Sequence, residues 1–154
     1  MPAAGELRHR EGRHRRRNFL ILAEDADGAL GAAEAAVAAI DGMPGVILPF
    51  PGGIVRSGSK VGSRGYTSLV ASTNDAYCPT LRLTTASALP EGVNSVLELV
   101  LDGLSADAIG QAMRIGIDAA CRPGVRAITA GNYGGNLGPH HFHLRTIMAG
   151  DGAA

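Results

Sequence analysis

Glu98 is the most informative single position. It lies between Leu97 and Leu99 in V-N-S-V-L-E-L-V-L, residues 93–101, a run that is otherwise almost wholly apolar. In a strand, side chains alternate between faces, so the neighbours on its own face are Val96 and Val100. A carboxyl group among aliphatic side chains is desolvated. Desolvation raises its pKa toward the range useful for general acid work. The same pattern fits an edge strand on which Glu98 points to water or pairs with an arginine, and the pattern alone leaves both readings open.

A second stretch able to hold a ligand is residues 50–66, F-P-G-G-I-V-R-S-G-S-K-V-G-S-R-G-Y. It contains five glycines, three serines and Lys60, the only lysine of the chain. Glycine costs about 1 kcal/mol relative to alanine inside a helix, so no stable helix is expected here. Long loops in compact domains are usually functional or disordered, and the apolar Phe50, Ile54, Val55, Val61 and Tyr66 favour an ordered one. A second glycine-rich stretch, G-N-Y-G-G-N-L-G, occupies residues 131–138. Both are able to offer backbone N–H groups to a carboxylate, phosphate or oxyanion, or to serve only as tight turns. Neither matches the phosphate-binding patterns G-x-x-x-x-G-K-[ST] or G-x-G-x-x-G. His141 and His143 would share a strand face, yet no acidic or cysteine partner is near in sequence, so no metal site is expected. Cys78 in N-D-A-Y-C-P has no histidine nearby in sequence to activate it. With Cys121 it reads as one of two reduced thiols of a cytoplasmic protein.

The elements that must position these residues follow from periodicity. Residues 18–23 (N-F-L-I-L-A) form a short apolar run typical of a buried strand. Asp25 and Asp27 offer N-cap oxygens to an alanine-rich helix ending near Ile40, before Gly42, Pro44 and Gly45. Residues 46–50 read as a second strand that enters the glycine loop. Residues 51–93 carry no clear period, and loops with one turn of helix are expected there. A third strand spans 93–101, and Asp102-Gly103 reads as a turn. Ser105 and Asp107 then open a helix whose buried stripe is Ile109, Met113, Ile117 and Cys121. Residues 125–130 form a further strand. Alternation of Phe142 and Leu144 with His141, His143 and Arg145 predicts a last strand over 140–147. Two β-α-β units with similar helices predict an α+β fold: a ferredoxin-like split β-α-β sandwich with a long insertion between strands two and three.

Composition bounds the rest. The 154 residues are enough for one domain with a real core. No apolar run reaches the length of a membrane span, and no secretory signal pattern is present, so no membrane partner is expected. Six arginines crowd residues 1–17, and without that segment the body holds 8 basic against 12 acidic residues. The segment reads as a disordered basic tail. Such an arm can neutralise phosphates, but no aromatic residue is interleaved to stack on bases, and no nucleic-acid partner is expected.

Four stretches in this order also resemble a known family: F-P-G-G-I-V-R-S-G-S-K-V-G-S, S-T-N-D-A-Y-C-P, V-N-S-V-L-E-L-V-L-D-G-L and P-G-V-R-A-I-T-A-G-N-Y-G-G-N-L-G. They resemble formylmethanofuran–tetrahydromethanopterin formyltransferase, from about residue 18 to 144. The resemblance implies formyl transfer between the amine of methanofuran and N5 of tetrahydromethanopterin, with both as substrates and no metal or bound cofactor. It also implies the C-terminal (distal) lobe alone, since family members are about twice as long and have two related lobes.

Carried over by motif, the resemblance makes Glu98 the catalytic carboxyl group. It makes Pro51, Gly52, Gly53, Ser57, Gly58, Ser59 and Lys60 a substrate-facing loop, with Lys60 placed to meet carboxylate groups. Where the family commonly has Gly-Gly just before position 18, this chain has Arg15-Arg16-Arg17, so residues 1–17 are expected to be replacement sequence. The expected organisation is a tail over 1–17, the lobe over 18–147 and a second tail over 148–154. The expected partners are one-carbon carriers and either further copies of the chain or other formyltransferase/hydrolase subunits. The alternative is a noncatalytic remnant acting only in oligomerisation or subunit association.

Overall fold

The computed structural model describes residues 15–56, 75–130 and 144–149. Within these, β1 (Arg15–Ala23) leads through Asp25 into α1 (Ala26–Ile40). The Asp25 side chain accepts a hydrogen bond from the Gly28 N–H at 2.8 Å, satisfying one of the unpaired donors of the first turn. The buried residues of α1 are Ala29, Ala32, Ala33, Ala36 and Ile40, a narrow stripe of small side chains. Two short strands follow, β2 (Val46–Ile47) and β3 (Ile54–Arg56). After the described turns at Asp75–Tyr77 and Pro79–Leu81 come β4 (Ser95–Gly103), α2 (Ala106–Ala120) and β5 (Val125–Thr129). Ser105 caps α2 as Asp25 caps α1, accepting from the Ala108 N–H at 3.1 Å. A short helix, α3 (Leu144–Ala149), packs on α2.

The sheet runs β2-β4-β1-β5, with β3 also on β4, and every pairing is antiparallel. This is the strand order of a split β-α-β plan in an α+β fold, with β2 and β3 sharing the place of its second strand. Ile47 lies opposite Asp102 and Ile54 opposite Leu99. The edge therefore uses seven residues to advance three positions along β4, and the surplus forms a turn. The cause lies in Pro49, which has no N–H to donate to a ladder.

Both helices cover one face. Phe19, Ile21, Leu99 and Leu101 from the sheet meet Ala33, Ala36, Ile40, Ile109, Met113 and Ile117 in a single core. The alanine stripe and Gly116 let α1 and α2 approach closely. A Cβ at Gly116 would stand 2.6 Å from Ile40 Cδ1 and 3.2 Å from Phe19 Cζ. On the other face Leu20, Leu22, Val93 and Val96 form a second cluster, against which Tyr77 and Leu89 pack.

Several expectations are corrected. Residues 144–149 form a helix, not the end of a strand, because Leu144, Ile147 and Met148 recur at helical spacing and reach the core through α2. Asp102 and Gly103 belong to β4, where Arg16 and β2 pair with them. β1 begins at Arg15, so three arginines assigned to the tail lie in the sheet. Cys121 is exposed at the end of α2, and Ala120 closes the buried stripe. Residues 131–138 and 140–143, which hold the second glycine-rich stretch, His141, His143 and the start of the expected last strand, lie outside the described residues.

Candidate active site

β4 is flanked by β1 along its whole length on one side and by β2 and β3 on the other. Glu98 therefore lies in the sheet interior, which removes the edge-strand reading. Its register partners are Leu20 on β1 and Val55 on β3. Leu20 belongs to the cluster on the face away from the helices, so Glu98 projects from that face. It is only 8% exposed.

A polar neighbour of Glu98 comes from β1. Asn18 lies opposite Val100, diagonal to Glu98 on the same face. Its side-chain Nδ2 donates to Glu98 Oε1 at 2.5 Å. Asn18 is 3% exposed. Burial penalises the charged carboxylate, and the amide donor favours it. The sequence reading missed Asn18. Its only signal was a polar amide heading an otherwise apolar run.

One step further along the face, Arg16 and Asp102 are direct register partners. The guanidinium holds the carboxylate through two bonds, Nε–Oδ1 at 2.9 Å and Nη2–Oδ2 at 3.0 Å. The hydrogen bond to Asp102 raises the Arg16 pKa above its ordinary value, against a lowering by partial burial. The pairing commits Asp102 to structure.

Of the glycine loop, Pro51, Gly52 and Gly53 are described, and Ser57, Gly58, Ser59 and Lys60 lie outside the described residues. Pro51–Gly53 forms the 3-10 turn made by the surplus residues, closed by the Gly53 N–H donating to Phe50 O at 2.8 Å. It feeds directly into β3, whose Val55 is the lateral neighbour of Glu98. Gly53 has φ of 75°, and a Cβ there would stand 2.9 Å from both Leu48 Cδ1 and Val37 Cγ2. Gly53→Ala is thus expected to cost about 1–3 kcal/mol. Urea unfolding checks this, and an unchanged midpoint contradicts it. Cys78 is buried, with its Sγ 3.2 Å from Thr80 Oγ1, a structural setting for that thiol. A surface concavity lined by Asp27, Gly28, Gly31, Ala32, Arg122 and Pro123 contains none of the site residues. Among the described residues no helix is long and apolar enough to cross a membrane.

Residues 15–147 match the family model described as FTR, proximal lobe. The match begins where β1 begins and ends inside α3. The chain belongs to the formylmethanofuran–tetrahydromethanopterin formyltransferase family. Over 136 residues it is 60% identical to the formylmethanofuran–tetrahydromethanopterin formyltransferase of Methylococcus capsulatus, covering 86% of this chain and 45% of that protein. Among solved structures it resembles the Methylorubrum extorquens formyltransferase/hydrolase complex FhcABCD, solved with methylofuran. There the TM-score is 0.74 at 52% identity, covering 86% of this chain and 44% of that one. The formylmethanofuran–tetrahydromethanopterin formyltransferase of Methanosarcina barkeri gives a TM-score of 0.75 at 46% identity, covering 84% and 44%. The chain thus spans less than half the length of these relatives. The matched lobe is the proximal one, which corrects the distal assignment. Order along a sequence carries no information on which lobe lies near or far in an assembled protein.

Proposed function

We propose that this chain is a partial formyltransferase, moving a formyl group between methanofuran and N5 of tetrahydromethanopterin, with Glu98 as its acid–base group. The observation that carries the reading is a buried carboxyl on the central strand β4, on the sheet face opposite α1 and α2, in a chain of this family. In the transfer, the N5 lone pair attacks the formyl carbon and the carbonyl electrons move to oxygen. Collapse of the tetrahedral adduct reforms the C=O bond and releases the methanofuran amine, which takes up the proton lost from N5. A carboxyl group beside the adduct can donate a hydrogen bond to the oxyanion and pass that proton between nitrogens. Pro51, Gly52, Gly53, Ser57, Gly58, Ser59 and Lys60 form the substrate-facing wall in this reading, and Lys60 meets substrate carboxylates. Methanofuran and tetrahydromethanopterin act as substrates, and no bound cofactor is required.

In the relatives the matched stretch is less than half of the protein, so the proposed cleft has a second half, carried on the same polypeptide, on a partner or by further copies of this chain. The Methylorubrum relative works within a formyltransferase/hydrolase complex, which supports subunit association. Ile47 and Leu104, 63% and 83% exposed near the β2 edge, provide apolar surface for it. The test is a formyl-transfer assay of the purified chain, alone and mixed with the N-terminal half of a full-length relative. Transfer is expected in the mixture. Absence of transfer in both leaves the noncatalytic association domain as the surviving account.

A further inference from the structure

The sheet assigns Asn18 a role that rests on the reading of Glu98 as the acid–base group: we infer that Asn18 is the positioning residue for the Glu98 carboxyl. A primary amide buried at 3% exposure, heading Phe19-Leu20-Ile21-Leu22, is costly unless its polar atoms are used. An aliphatic side chain in that place would avoid the cost. What the amide obtains is one contact across the sheet, Nδ2 to Glu98 Oε1 at 2.5 Å.

The geometry comes from the register. Asn18 faces Val100, so its short side chain reaches two positions back along β4 to Glu98. Glutamate has three side-chain torsions, and the Asn18 contact restricts them. Anchored at its backbone in the centre of the sheet and at Oε1 by Asn18, it is confined to one orientation. Because Oε1 accepts from Asn18, a proton carried by the carboxyl sits on Oε2. Asn18 thereby biases the proton toward Oε2. Further along this face Arg16 and Asp102 are bound to each other. Such fixed placement of a reacting group is worth more in rate than in stability.

The experiment follows the Glu98 side-chain carbon by NMR titration, with the resonance assigned by its loss in Glu98→Gln. An amide donor favours the charged carboxylate, so Asn18→Leu is expected to shift the Glu98 titration upward by about one pH unit. Asn18→Asp, which presents an acceptor instead, shifts it the same way. In the unmodified chain, the Asn18 side-chain N–H signals follow the same midpoint as the Glu98 carboxyl, a measurement independent of how the variants fold. In the transfer assay, kcat falls about tenfold or more in Asn18→Leu while KM stays within about twofold. A Glu98 titration unmoved in folded variants overturns the inference, as do Asn18 N–H signals indifferent to it. A titration that moves in a chain with no transfer activity upholds the positioning and removes the catalytic reading, so the two failures are told apart.

Discussion

Replacing Glu98 by glutamine is expected to reduce formyl transfer by about 10²–10⁴-fold, the range for removal of a positioned acid–base group. The substitution is chosen for shape. Glutamine keeps the volume and presents a carbonyl oxygen that still accepts from Asn18 Nδ2, so the side chain stays where it is. What it loses is a titratable proton. The loss is therefore expected in kcat, with KM little changed, because the removed interaction acts on the tetrahedral adduct rather than on bound substrate. Thermal unfolding of Glu98→Gln is expected to match that of the parent, since the polar contact is retained. Transfer within about threefold of the parent, measured with the chain completed by its partner half, would show that the carboxyl has no chemical role.

The largest stability effect is expected at Phe19. Its side chain is fully buried on the helix face of β1, and Gly116 of α2 and Ile40 of α1 close around the same space. Phe19→Ala leaves a hole where sheet, α1 and α2 meet. Large-to-small changes of this kind cost about 3–5 kcal/mol, against about 5–15 kcal/mol for the whole stability of a typical domain. Equilibrium urea unfolding should show a much lower midpoint at unchanged slope. A loss below about 1 kcal/mol would mean that the helices collapse into the gap, which the tight Gly116 contact argues against.

Elements whose signals are local were legible in the sequence. Asp25 and Ser105 announce their helices, and their side chains make the capping bonds. The run around Glu98 reads as a strand and is one, shifted by two residues to Ser95–Gly103. Features that depend on distant partners were not legible. Asp102-Gly103 has turn chemistry, and pairing with Arg16, 86 residues away, and with Ile47 of β2 makes Asp102 a strand residue. The same pairing draws Arg15, Arg16 and Arg17 out of an apparent tail into β1. The single strand read over 46–50 divides at Pro49, and its continuation resumes only at Ile54. The final strand was inferred from alternation over a few residues, whereas Leu144, Ile147 and Met148 gave a competing helical spacing. Within the site, the carboxyl was visible as an anomaly in an apolar run. Asn18 was not, because a polar residue at the start of a strand looks ordinary until its cross-strand neighbour is known.

The strand order also determines when the molecule can form. β1 lies between β4 and β5, so both of its neighbours come much later in the chain; Asn18 and Glu98 are 80 residues apart. Among the described strands, β1 does not pair with the strand that follows it in sequence. Contacts of such long sequence separation slow folding, because the loop must close before any pairing rewards it. During synthesis the apolar residues Phe19, Leu20, Ile21 and Leu22 emerge well before β4, the strand that pairs with them along their whole length. Through that interval α1 has no completed surface to pack on. The segment that ends as the best buried strand is thus the one exposed longest to wrong partners.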